Sequence, residues 1–169
     1  MKSIFLSILF CLFPTLVLAC IAPPRSFTVD HAELVQRTDT IVWAKAIGGS
    51  EDTSDIWGKE HELMLFETIE VLSGYVPKRF TIPNGFALSG WKQGVGSLET
   101  DFDSHRDLSF WDENNARQWN SADCNMYPTF SVGNSYLLFL GAPHWKAYEA
   151  VKSEDDLWLQ TVRNIIAQP

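Results

Sequence analysis

Residues 40–47, TIVWAKAI, and residues 136–140, YLLFL, are the clearest strand signals in this chain. The first stretch is rich in β-branched and apolar residues and precedes Gly48-Gly49, which predicts a strand that ends in a turn. The second stretch is continuously apolar, as expected for a strand that is buried on both faces of a sheet. The chain is therefore predicted to be built around a β-sheet.

Further strands are predicted between and beside these two stretches. Residues 62–72 begin as a solid apolar run and then alternate between apolar and polar positions, which favours a long strand over a helix. Residues 78–82 predict another strand before a Pro-Asn-Gly turn, and residues 130–132 predict a short one. Residues 48–60 are polar and contain glycine, so they are predicted to form a loop.

One helix is predicted near each end of the globular part. Asp30 and Glu33 have the spacing of a capping box, which predicts a short helix that ends near residues 38–39. Ser153 and Asp156 predict the cap of a second helix close to the C-terminus. Several strands with a helix at each end are typical of a small, mainly β barrel with flanking helices.

The segment of residues 87–129 lacks a clear periodic pattern. A loop of that length is unusual in a compact domain, so we expect it to contain short strands or to have a binding role. Trp43 and Trp158 are predicted to lie in the core, on a strand and on the apolar side of a helix. Flat rings in loops can stack on sugars or form interface hot spots, and four tryptophans are candidates for this: Trp57, Trp91, Trp111 and Trp119.

The first nineteen residues indicate export. Lys2 is the only charged residue among them, and an apolar run leads from Ile4 to Ala19, as in a secretory signal peptide. Residues 1–19 are therefore assigned to the signal and residues 20–169 to one domain in the periplasm or outside the cell, without a further membrane-spanning segment. The chain has 13 Lys and Arg against 21 Asp and Glu, and this acidic balance argues against a nucleic-acid partner.

Two cysteines, Cys20 and Cys124, lie after the predicted signal. In an exported chain they can form one disulfide. Residues 17–20, Val-Leu-Ala-Cys, also fit a lipoprotein signal loosely, and acylation would consume the Cys20 thiol. The disulfide is favoured, because acylation would leave Cys124 as a lone thiol in an oxidising compartment.

No pattern in the sequence indicates catalysis, a metal site or a cofactor site. The four histidines lie far apart in the chain, without the spacing of a zinc site. The best cluster, Asp101-x-Asp103-x-His105-x-Asp107, could bring several oxygens around Ca²⁺, but Arg106 occupies the position where such a loop needs glycine. A solvated acidic loop is therefore the favoured interpretation, and the protein is predicted not to be an enzyme.

The chain resembles the netrin-like domain, which is the OB-type barrel of tissue inhibitors of metalloproteinases and of exported bacterial proteins. Short features spread over nearly the whole mature chain support the resemblance. They are Cys20 followed by Ala-Pro-Pro at residues 22–24, residues 39–46, Phe66 with residues 70–74, and residues 132–140. The resemblance implies an OB-like barrel of five to six strands with a short N-terminal helix and a C-terminal helix.

The resemblance also implies roles for the two cysteines. In that family the N-terminal cysteine is tied to the barrel by a disulfide, which implies a Cys20–Cys124 pair. In the metalloproteinase inhibitors its free amine and carbonyl chelate the catalytic zinc of the target, which implies a target-contacting N-terminus of Cys20, Ile21 and Ala22. Ala22 occupies the position where the inhibitors have a second cysteine.

The resulting expectation is an exported, noncatalytic binding module, similar to a metalloprotease inhibitor, that acts on a protein partner through Cys20. The alternative is an outer-membrane lipoprotein that is anchored at Cys20 and has a scaffold or envelope role. Neither expectation requires a cofactor or a bound metal.

Overall fold

The computed structural model describes most of the chain between Val29 and the C-terminus. The described residues are 29–56, 59–83, 102–112, 115–117, 130–142 and 144–168, and the description of residues 50–56 and 59–62 covers the backbone alone. In chain order the elements are α1 (His31–Arg37), β1 (Thr40–Ile56), β2 (Lys59–Ser73), β3 (Arg79–Pro83), a 3-10 helix (Leu108–Trp111), β4 (Ser135–Leu140), β5 (Tyr148–Ala150) and α2 (Leu157–Ile166).

The five strands form one antiparallel sheet in the order β3-β2-β1-β4-β5. Three consecutive strands pair in sequence and β4 returns beside β1, which is the strand order of a Greek key. Within the described residues the sheet is open, with β3 and β5 at its edges. The mainly β prediction with a helix near each end is confirmed, whereas this pairing does not confirm a closed barrel.

β1 is much longer than predicted, and β2 is slightly longer. The prediction that β1 ends at Gly48-Gly49 and that residues 48–60 form a loop is wrong. β1 continues to Ile56, and β2 already begins at Lys59. The register of the pair shifts between Ala46 and Gly48, which marks an irregularity of the kind that glycine accommodates in a strand. Cross-strand pairing with β2 therefore outweighs the turn preference of the two glycines.

The sheet has a buried cluster on each face, because successive side chains of a strand point to opposite faces. On one face, Ile41 and Trp43 of β1 pack with Leu137 of β4 and Trp158 of α2. On the other face the buried residues are Val42, Ala44, Ala46, Met64, Phe66, Val76, Ile82, Phe130, Tyr136 and Leu138. The predicted core positions of Trp43 and Trp158 are confirmed, as is the burial of β4 on both faces.

Both helices begin at an aspartate cap. The Oδ1 atom of Asp30 accepts a hydrogen bond from the Glu33 N–H at 2.8 Å, and α1 ends at Arg37, as predicted. α2 is also confirmed, but its cap is Asp156 and not Ser153. The Asp156 carboxylate accepts from the N–H groups of Trp158 and Leu159, so two amides of the first turn are satisfied.

Between β3 and β4 the chain contributes directly to the core. Residues 102–112 contain the 3-10 helix and bury Phe102 and Phe110 on the helical face of the sheet. The strand predicted at residues 130–132 is wrong, since these residues precede β4 without strand pairing, although Phe130 is buried. β5 was not predicted.

Candidate functional site

A group of polar side chains is buried beside β5 and the start of α2. Burial of a charged group is costly unless a partner compensates it, so such a group is the natural candidate for a site. The members come from the segment after β3, the β4–β5 region and the cap of α2, and they are His105, Arg117, His144, Lys146, Glu149 and Asp156.

His105 lies at the end of a left-handed turn. Asp103, Ser104 and His105 have φ angles of 46°, 55° and 60°, a conformation that residues other than glycine rarely adopt. The Ser104 carbonyl accepts a hydrogen bond from the Leu157 N–H at 3.0 Å. The turn is thus fastened to the start of α2, and it places the His105 ring in the core, where it is only 3 % exposed.

The His105 ring lies between two buried carboxylates. Its Nδ1 is 2.8 Å and 2.9 Å from the two carboxylate oxygens of Asp156. Its Nε2 is 3.7 Å from Oε2 of Glu149, on β5. The other oxygen of Glu149, Oε1, accepts a hydrogen bond from the Arg117 N–H at 2.9 Å.

Arg117 joins this group to the edge strand. Its Nε and Nη2 atoms donate to the Tyr148 carbonyl at 3.0 Å and 2.9 Å. Its guanidinium carbon lies 4.9 Å from the centre of the Tyr136 ring, within the range of a cation–π contact. The segment of residues 115–117 is therefore held on β5 through both its backbone and its side chain.

The environment of His105 favours its charged form. Burial lowers the pKa of the ring, but the hydrogen bond to Asp156 and the charges of Asp156 and Glu149 outweigh burial and raise the pKa above its ordinary value. A protonated imidazole has an N–H group on each ring nitrogen, so Nδ1 donates to Asp156 while Nε2 faces Oε2 of Glu149 as an ion pair that is too long for a hydrogen bond. The geometry is that of an imidazolium between two anions.

A second buried group surrounds Lys146. The Lys146 Nζ donates to the Asp112 carbonyl at 2.8 Å, lies 2.7 Å from Nε2 of His31, and lies 4.6 Å from the centre of the Phe110 ring. An ammonium group can only donate, so Nε2 of His31 accepts and this ring is neutral. Burial and the charge of Lys146, with a further contribution from His144 when that ring is protonated, lower the pKa of His31 to about 4, against a smaller opposing effect of Asp30.

His144 is held as a neutral ring as well. Its Nδ1 accepts from the Lys146 N–H at 3.0 Å, so the proton lies on Nε2, which donates to the Val29 carbonyl at 3.0 Å. Burial lowers the pKa of His144, although its hydrogen bond to Val29 acts in the opposite direction. His144 thereby fastens the chain just before α1 to the β4–β5 region.

Aromatic rings separate the two groups. The Phe110 ring centre lies 4.3 Å from that of His105 and 6.1 Å from that of His31. Trp158 and Trp111 pack against Phe110 at 5.5 Å and 5.2 Å, and the Trp111 Nε1 donates to the His105 carbonyl at 3.1 Å. These rings keep water from the charged groups, so each ion pair acts in a medium of low dielectric constant.

The ring nitrogens of the buried histidines are engaged in contacts within the protein. Both ring nitrogens of His105 and of His144 face partners within the protein, and Nε2 of His31 faces Lys146. In the part of the chain that the structure describes, no group of three or more His, Cys, Asp or Glu side chains is arranged to hold a metal ion. The contacts of these groups connect α1, β5, α2 and the segment after β3.

The predicted acidic loop is only partly solvated. Asp103 and Asp107 are exposed, and Asp107 caps the 3-10 helix by accepting from the Ser109 N–H at 2.9 Å. The prediction that His105 lies in a solvated loop is wrong, because Asp156, 51 residues later in the chain, meets its ring in the core. The one signal in the sequence was a histidine among acidic residues, which does not identify a partner so far away.

Most of the other residues predicted to form a site lie outside the described part of the chain. Cys20, Ile21, Ala22 and Cys124 lie outside the described residues, as do the signal segment and Asp101. Of the loop tryptophans, Trp111 is half-buried on the 3-10 helix. Trp57, Trp91 and Trp119 also lie outside the described residues.

The chain matches no family model, no curated protein and no solved structure. The netrin-like resemblance therefore stays a sequence-based prediction. Among the helices that the structure describes, none has the length and apolar character needed to cross a bilayer.

Proposed function

We propose that this protein is an exported, noncatalytic binding module that acts on a protein partner through a mature N-terminus at Cys20. The observation that supports a binding role most directly is that the buried polar groups make structural contacts. His105, Glu149, Asp156 and Lys146 contact one another or the backbone of neighbouring segments, and each of these contacts fastens a loop or a helix to the sheet. Groups engaged in this way support a rigid scaffold, on which a binding segment is well placed.

The proposal includes an OB-type barrel as the scaffold. An OB-fold is a five-stranded, partly open Greek-key barrel, and the order β3-β2-β1-β4-β5 agrees with that description. Register shifts along the β1–β2 pair support it further, because bulges increase the coiling that a barrel needs. Closure would require β3 to approach β5, and this pairing belongs to the proposal.

The chemistry of the N-terminus gives the proposal its inhibitory form. Cleavage after Ala19 would make the α-amino group of Cys20 the first group of the mature chain. The pKa of an α-amino group is about 8, so a useful fraction is neutral near pH 7 and can bind zinc. A catalytic zinc site keeps one position open, which the amine of Cys20 would occupy while Ile21 and Ala22 contact the cleft.

The test begins with intact mass and N-terminal sequencing of the mature protein purified after export. A free Cys20 amine and a mass lower by two hydrogen atoms, as a Cys20–Cys124 disulfide requires, are the expected results. The protein is then assayed against a zinc metalloprotease of broad specificity with a fluorogenic peptide.

A matched variant with one alanine inserted before Cys20 keeps the thiol and the disulfide but displaces the amine. We expect inhibition by the natural chain and a loss of about a hundredfold or more in the extended variant, since zinc coordination is removed. Equal behaviour of the two proteins, or no inhibition by either, would contradict the inhibitory form of the proposal.

Residues 17–20, Val-Leu-Ala-Cys, favour a second candidate, an outer-membrane lipoprotein that is acylated at Cys20. The same mass measurement distinguishes the two, because a diacylglyceryl group adds a large and characteristic mass and acylation prevents the disulfide. Cys20→Ser should then move the protein from the detergent phase to the aqueous phase. An unchanged partition would eliminate the lipid anchor.

A further inference from the structure

His105 is the point at which three segments meet. Its ring belongs to the left-handed turn after β3, its Nδ1 contacts the cap of α2 at Asp156, and its Nε2 faces Glu149 on β5. Asp156 has two functions, because its carboxylate also accepts from the N–H groups of Trp158 and Leu159. A change at His105 therefore acts directly on the first turn of α2.

The hydrogen-bonding capacity of the ring depends on its proton. The imidazolium has an N–H group on each ring nitrogen, so a positively charged edge faces each carboxylate, whereas neutral imidazole has only one N–H. The shorter contact, to Asp156, would keep the remaining N–H on Nδ1. The lone pair of Nε2 would then face Oε2 of Glu149, which is buried, accepts no hydrogen bond from the described residues and depends on the charge of the ring for compensation.

Loss of the proton thus leaves a buried carboxylate opposite a lone pair. A buried charge that loses its partner is strongly destabilising, because neither water nor another charge replaces the interaction.

The other charged groups nearby do not replace this proton. Arg117 contacts Glu149 through its backbone N–H at Oε1, while its guanidinium donates to the Tyr148 carbonyl. Lys146 lies on the far side of the Phe110 ring, where its ammonium contacts His31 and the Asp112 carbonyl. The charge of Glu149 acts on His144, but the Nε2 of His144 donates to the Val29 carbonyl.

At the surface, Arg106 and Asp155 form an exposed pair at 3.6 Å. Such a pair contributes little to stability and is screened by salt.

We propose that Asp156, His105 and Glu149 form a proton-dependent latch, which holds the first turn of α2 and residues 102–107 on the sheet and opens when His105 loses its proton. The opening accompanies deprotonation of His105, whose pKa lies above its ordinary value, and is called the alkaline step. A histidine whose pKa is raised by folding contributes its full stability below its ordinary value of about 6.5 and loses it as the pH rises through the folded value.

The experiment follows amide hydrogen exchange by NMR between about pH 6 and about pH 10, expressed as protection factors so that base catalysis of exchange is removed. In the natural sequence we expect the protection of the Trp158 and Leu159 amides to fall by about tenfold or more in one step as His105 titrates. The Phe66 amide, in the centre of the sheet, should keep its protection over the same range. The titration of the His105 ring is measured in the same samples and should coincide with the step.

Three variants test the assignment. Glu149→Gln keeps the shape of the side chain and supplies an amide N–H that can donate to the lone pair of a neutral His105, so the alkaline step should disappear. His144→Gln is the matched control, because it replaces another buried histidine that is already neutral, and the step should persist. His105→Gln should lose the step as well. If His105→Gln does not fold, Glu149→Gln alone still decides the test.

The proposal is overturned if the natural sequence shows no alkaline step, or if His105 titrates below about pH 6.5. It is also overturned if the step persists in Glu149→Gln. None of these outcomes depends on the target of the protein, so the latch and the proposed function can fail separately.

Discussion

Replacing Asp156 with alanine should destabilise the protein far more than the loss of a helix cap alone. The carboxylate of Asp156 is 1 % exposed and accepts hydrogen bonds from two amides of α2 and from His105. Loss of a capping side chain costs about 1 kcal/mol. Removal of one partner of a buried ion pair costs about 3 kcal/mol or more, so the expected total is about 4 kcal/mol near neutral pH.

Asp30→Ala is the matched control for this prediction. Asp30 is also an aspartate cap, with its Oδ1 2.8 Å from the Glu33 N–H, but it is exposed. Its replacement should therefore cost only the cap, about 1 kcal/mol. The difference between the two variants, about 3 kcal/mol, isolates the contact with His105 from the capping interaction.

Asp156→Asn separates the charge from the cap, because asparagine caps helices about as well as aspartate. It should lie between the two alanine variants in stability. The assay is urea unfolding at neutral pH followed by tryptophan fluorescence, since Trp158 is buried in the first turn of α2, two residues after Asp156. If Asp156→Ala costs no more than Asp30→Ala, the pairing with His105 contributes nothing to stability.

Two further predictions concern a turn and the acid side of the pH range. Gly74 has a φ angle of 73°, and a Cβ there would lie 2.6 Å from the Thr40 Oγ1 and closer still to the Asp39 carbonyl oxygen. Gly74→Ala should therefore lower the free energy of unfolding, measured in urea, by about 3 kcal/mol. Gly133→Ala, with φ of 94° and open space around the Cβ position, should cost only about 1 kcal/mol, and equal losses would contradict the steric argument. Because the pKa of His31 is lowered to about 4, the unfolded chain binds this proton first, and stability should fall as the pH drops from about 6.5 to about 4. The part of this loss of stability that is attributable to His31 is about 2 kcal/mol once solvent screening of the half-buried ring is considered. When the unfolding free energy is measured at several pH values, it should fall less steeply with decreasing pH in His31→Gln. An unchanged pH dependence would show that the His31 ring is not the group that titrates.

Local patterns predicted the elements whose signals lie within a few neighbouring residues. The cap at Asp30 and the apolar run of β4 each act through contacts between near neighbours or through continuous burial, which the order of residues expresses directly. The start of β1 and the position of Trp158 on the buried side of α2 follow from periodicity in the same way.

Predictions failed where a distant segment changed the outcome. Gly48-Gly49 has the local preferences of a turn, but pairing with β2 extends β1 to Ile56. β5 is only three residues long, and its pairing with β4 rather than its own composition makes it a strand. In both cases hydrogen bonds across the sheet outweigh an intrinsic preference of a few tenths of a kcal/mol per residue.

The order of residues was enough to predict a mainly β protein with a helix near each end. It did not show that His105 leaves its acidic neighbours Asp103 and Asp107 and meets Asp156 and Glu149 in the core, which follows from the folded arrangement of the chain. The charge and solvation of a side chain depend on which groups surround it in space. Periodicity describes only which face of an element a residue occupies, so it cannot assign the partners of a buried charge.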